Sequence, residues 1–87
     1  MADVLTADEI AAHFSAMDDS VALINATAAD DTDALAMFGD AAEVKLMVTR
    51  NTDHLEIQAA TDWYSDSSKS KTPYTGAVTA GKAYVAG

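Results

Sequence analysis

The sequence predicts a mainly α-helical fold: a small helical hairpin or bundle of three to four helices, with an extended Ser/Lys linker before a short C-terminal helix. Three observations carry that prediction. Thr6 to Ile10 holds a helix-start signal followed by a sustained apolar seam, Asp40 opens a second long amphipathic run, and Thr72-Pro73 restarts helical spacing after a stretch with nothing to bury. The expected organisation is a helical domain over residues 1–64, a linker over 65–72, and a C-terminal segment over 73–87 that docks on the domain or on a partner.

In Leu5-Thr6-Ala7-Asp8-Glu9-Ile10, Thr6 is placed to cap and Glu9, at the third helical position, completes a capping box. Leu5 and Ile10 fit the hydrophobic staple that flanks such a box, so the first helix begins at Ala7. Its apolar positions run Ile10, Phe14, Met17, Val21, Ile24 and Ala28 in steps of four and three, a heptad seam that needs a helical neighbour. Ala11, Ala12, Ala22 and Ala26 suit close packing in a bundle.

Ala29-Asp30-Asp31-Thr32-Asp33 interrupts the pattern, because short polar side chains compete with the backbone for hydrogen bonds and favour turns and caps. Asp33 to Phe38 allows one or two helical turns presenting Leu35 and Phe38, and Gly39 is placed to stop them. The run from Asp40 to Tyr64 then reads as the longest helix. Asp40 is a good N-cap, and Glu43 can reach back to it as in a capping box with Asp replacing Ser or Thr. Val44, Val48, Leu55 and Ala59 form its apolar stripe with Leu46 and Met47 beside them, while Lys45, Arg50, Asp53 and Glu56 fall mainly elsewhere. Asn51 interrupts that stripe, either as a seam residue that fixes register or oligomer state, or as a margin residue in water. The β-branched content of Val44 to Thr49 also fits a short strand, although helix is the expectation.

Ser65-Asp66-Ser67-Ser68-Lys69-Ser70-Lys71 carries no apolar residue and reads as linker. Thr72 as cap and Pro73 at the first helical position start the last helix, with Tyr74, Val78, Gly81 and Val85 at helical spacing and Tyr84 alongside. Gly76 and Gly81 each weaken it by up to about 1 kcal/mol relative to Ala, so it must pack on something. Trp63 and Tyr64, beside the polar linker, either close a small core or anchor an interface. The candidate interface residues are therefore Trp63, Tyr64, Tyr74, Val78, Tyr84, Val85 and Asn51.

Eighty-seven residues make one domain. A chain of this size buries only about 60 to 65% of the surface its unfolded form exposes, so its own core is expected to be thin. With no cysteine, disulfides and thiolate metal sites are excluded, and association is the simplest remedy. Partners are thus expected to be proteins, both further copies of the chain and larger neighbours. The net charge of −9 is uneven: residues 1–43 hold ten acids and no Lys or Arg, whereas residues 44–87 hold four acids and five bases. An anionic first half repels phosphate backbones, so no nucleic-acid partner is expected. No stretch approaches the apolar length of a membrane span, and Met1-Ala-Asp lacks a basic leader, so no membrane or secretory role is expected.

Residues that could carry chemistry are few. His13 and His54 sit in no metal-ligand spacing, and Asp30, Asp31 and Asp33 lack the glycine and glutamate that a calcium loop of the EF-hand type requires. Ser15 and Ser20 lie on an amphipathic helix rather than a strained turn, and Gly39, Gly76, Gly81 and Gly87 have no phosphate-loop spacing. The sequence is therefore read as a non-enzyme, with no catalytic residue, metal or cofactor.

At Arg50-Asn51-Thr52-Asp53-His54-Leu55-Glu56, Tyr74-Thr75 and Ala80-Gly81-Lys82-Ala83-Tyr84, the chain resembles small uncharacterised proteins encoded among the structural genes of tailed bacteriophages. The likeness covers about half the chain, from Val44 onward, and carries over no residue roles. It implies a virion component, found in the virion or in the host cytoplasm during assembly: a piece that decorates a capsid or connects tail, baseplate or fibre proteins in several copies. The acidic first half supports a different expectation, a small regulatory or inhibitor module that binds a basic protein.

Overall fold

A computed structural model describes residues 5–87; the reading of Met1-Ala-Asp as free of a leader falls outside them. Among the described residues the chain forms five helices and no strand, a small helical bundle of 44 × 20 × 18 Å. The bundle proper consists of α1 (Ala7–Ala29), α3 (Ala41–Ala59) and α5 (Thr72–Ala86), each packed on the other two. The short helices α2 (Thr32–Phe38) and α4 (Asp62–Asp66) turn the chain at opposite ends.

Helix α1 starts where the capping box places it. Glu9 N donates to Thr6 Oγ1 at 3.1 Å and Thr6 N donates to Glu9 Oε1 at 2.9 Å. Accepting the Thr6 amide, and secondarily the Thr6 hydroxyl, holds the Glu9 carboxyl below its ordinary range. The seam is also largely as the spacing predicts: Phe14, Met17 and Ile24 are buried and Ile10 and Val21 half-buried, but the last place goes to Thr27 rather than Ala28. Ser20 and Thr27 join the buried face because two helices, α3 and α5, cover α1, which widens the stripe beyond a two-helix seam.

The acidic turn is built as its composition implies. Asp30 Oδ1 accepts from both Thr32 N at 3.0 Å and Thr32 Oγ1 at 2.6 Å, and those two bonds, the hydroxyl's the larger, lower the Asp30 carboxyl's pKa. Gly39 closes α2 in the left-handed conformation at φ 72°, so α2 and α3 stay separate. Asp40 caps α3 through Ala42 N at 2.7 Å, which leaves no capping box with Glu43.

Three boundaries differ from expectation. The run from Asp40 to Tyr64 is not one helix, and at 19 residues α3 is shorter than the 23 of α1. Its last turn tightens as Ala60 N donates to Ile57 O at 3.3 Å and Thr61 N to Gln58 O at 3.1 Å, while the Thr61 hydroxyl also donates to Gln58 O at 2.6 Å. Thr61 then becomes extended and α4 starts in a new direction. Ser65 and Asp66 belong to α4, so the polar connection shrinks to residues 67–71, where Lys71 Nζ donates to Ser67 O at 2.7 Å and Lys69 O at 2.9 Å. Helix α5 begins at Thr72 with Lys71 in the cap position, because Thr75 N bonds to Lys71 O at 3.0 Å.

The last helix docks on its own chain. Gly81 is buried where α5 crosses α1 and α3: a Cβ there would overlap Thr52 Oγ1 and come within 3.3 Å of Ile24 Cγ2. The glycine that weakens the isolated helix is what lets it approach. Met17, Ile24, Val44, Val48, Leu55 and Tyr74 are almost completely enclosed within a single chain, while Leu23, Met37, Phe38, Leu46 and Ile57 stay exposed.

Candidate functional site

The break after α3 has a definite product: it swings Trp63 and Tyr64 onto the first turns of α1. Phe14 lies at the centre of the resulting cluster, with ring centroids 5.2 Å from Trp63, 6.0 Å from Tyr64 and 5.6 Å from Tyr74. His13 stacks on Trp63 at 5.1 Å. Lys69 and Lys71, from the polar connection, sit over the Phe14 and Tyr64 rings at 5.4 Å and 5.3 Å. Of the candidate interface residues, Tyr64, for which the sequence leaves core and interface both open, and Tyr74 are core residues whose rings complete an aromatic end.

Their hydroxyls are treated differently. Tyr74 Oη donates to Asp18 Oδ1 at 2.7 Å, and burial first, then that bond, raises its pKa. Tyr64 Oη is buried with no partner, and burial alone raises its pKa. Trp63 and Val78 are half-buried against this cluster. Tyr84, at the far end of α5, donates to Asp31 Oδ2 at 2.9 Å and ties α5 to the acidic turn. Val85 is half-buried in a hollow between α3 and α5 with Thr49 and Thr52.

Of the two settings expected for it, Asn51 takes that of the seam residue rather than the margin residue in water. It is half-buried inside the bundle, where its Oδ1 faces Ser20 Oγ at 2.9 Å and its Nδ2 donates to Met47 O at 2.9 Å. His54 Nδ1 lies 2.8 Å from the same Ser20 Oγ. Because the amide nitrogen is committed to Met47, Asn51 Oδ1 must accept the single Ser20 proton, which leaves His54 Nδ1 to donate. The relay His54 to Ser20 to Asn51 therefore runs away from the serine oxygen as a nucleophile. Ser20 is only 4% exposed, and the three groups lock α1 to α3.

Sequence reasoning passed over the opposite end of the bundle. There α2 buries no residue completely, and Met37 (80% exposed), Leu23 (48%) and Phe38 (42%) stay in the open. They line an open trough of about 530 Å³ between α1, α2 and α3, together with Ala22, Ala26 and Met47. Asp30 and Asp33 also line it. The signal was present in the spacing of Ala22, Leu23 and Ala26, an apolar strip on α1 beside the main seam, but bundle packing accounted for it equally well. Leu46 (40%) and Ile57 (67%) are exposed elsewhere on α3.

Among the described residues no group of three His, Asp or Glu side chains is placed to hold a metal ion, and no helix is long and apolar enough to cross a membrane. No protein-family model, curated protein or solved structure matches the chain.

Proposed function

We propose that this chain is a non-enzymatic structural or adaptor protein that works by docking to other proteins, and that its setting is the phage virion its sequence resembles. The observation that carries this reading is the trough at the α2 end. Met37, Leu23 and Phe38 are left in water side by side, whereas Leu46 and Ile57 are exposed outside this hollow, and exposed apolar groups gathered in one hollow mark interaction surfaces. The role that fits is a small rigid piece, present in several copies, that decorates a shell or connects tail, baseplate or fibre proteins.

Quantitative mass spectrometry of purified particles tests it. A fixed copy number relative to the major shell or tail protein is the expected result; absence from particles, with the chain free in the host cytoplasm, overturns it. A second reading, an acidic regulator that captures a basic protein, is favoured by the ten acids and absent bases of residues 1–43. Absence from particles combined with salt-sensitive binding to one basic host protein would select that reading.

A further inference from the structure

Building on the docking role, we infer that the trough between α1, α2 and α3 receives a helix of a partner protein whose apolar stripe is flanked by Lys or Arg. Its walls are themselves helices, which present ridges and grooves to an added helix. Its lining includes Met37 and Met47, unbranched side chains that adapt to the knobs of a partner.

The rim selects the charge. Asp30 and Asp33 line the trough, Asp19 stands one turn before Leu23 on α1, and Glu43 stands one turn before Met47 on α3. The bases on these three helices are Lys45 and Arg50, of which only Arg50 falls on the Met47 side. A second copy seated symmetrically on the same face would set Asp30 and Asp33 of each chain against those of the other, and like charges in apposition oppose that pairing. An acidic helix meets the same repulsion. A basic flank meets Asp19, Asp30 and Asp33 on the α1 and α2 side, and on α3 Glu43 offset by Arg50.

The test uses the full chain labelled at its methionine methyl groups and two synthetic amphipathic peptides of about 18 residues, about five helical turns. Both carry the same leucine stripe; one is flanked by lysine and the other by glutamate. The lysine peptide is expected to shift the Met37 and Met47 methyl signals and leave that of Met17, enclosed in the core, in place. Its binding should weaken roughly tenfold or more between low and high salt, as expected of charge-steered contacts. L23D should abolish both shifts and M37D that of Met47, whereas I57D, at an exposed position outside the trough, should abolish neither.

Equal binding of the two peptides, shifts confined to other faces, or full binding by M37D and L23D would each overturn the inference. So would a concentration-dependent dimer in sedimentation that M37D dissolves, which would assign the trough to a second copy. These outcomes are independent of copy number in particles, so the inference and the docking role can fail separately.

Discussion

The two ends of this bundle are built on opposite principles. At one end α4 folds back so that Trp63, Tyr64 and Tyr74 close around Phe14, their ring centroids 5.2, 6.0 and 5.6 Å from it. At the other, α2 crosses between α1 and α3 without burying one residue fully and leaves Met37 almost entirely in solvent. The closed end holds the three long helices together. The open end leaves Leu23, Met37 and Phe38 in solvent.

Phe14→Ala attacks the closed end most directly. Loss of its ring removes contacts to three aromatic neighbours and should cost about 3–5 kcal/mol in denaturant unfolding. That is a large share of the roughly 5–15 kcal/mol that holds a domain together. A small loss would mean that the cluster is decoration rather than core.

Next in size is Gly81→Ala, between the two ends. The added methyl meets the stiff, β-branched Thr52, whose hydroxyl donates to Val48 O at 2.8 Å, and overpacking of this kind costs about 1–3 kcal/mol. Gly76→Ala, on the same helix with nothing within 4 Å of the new carbon, should instead gain up to about 1 kcal/mol from propensity. If both variants stabilise the protein equally, α5 does not cross α3 at Thr52. Combining Gly81→Ala with Thr52→Ala should recover much of the loss.

Tyr74→Phe removes a hydrogen bond to Asp18 and should cost about 1 kcal/mol at neutral pH. Its pH signature is more telling. Because the folded-state pKa of Tyr74 is raised, the stability it contributes is complete below the ordinary tyrosine value of about 10. Above that the unfolded chain releases its proton first, and stability falls as pH rises. Tyr74→Phe should therefore show a shallower alkaline decline in circular dichroism than the parent, and an unchanged slope would remove Tyr74 as the titrating group.

The smallest effect belongs to the open end. Met37→Ser should alter stability by no more than about 0.5 kcal/mol, because the side chain is already 80% exposed. A loss approaching that of Phe14→Ala would abolish the contrast between the ends.

Local chemistry determined the starts and stops of the helices and the sequence displayed them: Thr6 with Glu9, the Asp30 turn, Gly39 and Asp40 each act through atoms within four residues. The seam through Phe14, Met17 and Ile24 and the stripe through Val44, Val48 and Leu55 were legible for a related reason, since burial follows helical period. What period does not specify is which element covers a stripe. Tyr64 and Tyr74 face inward only because α3 ends at Ala59 and α4 turns back, and Asn51 is internal only because Ser20, 31 positions away in the chain, faces it. The same holds for the trough. Leu23 and Met37 have the residue types of a core and remain exposed because, among the described residues, no further helix lies over them, a fact of three-dimensional packing with no trace in either residue alone.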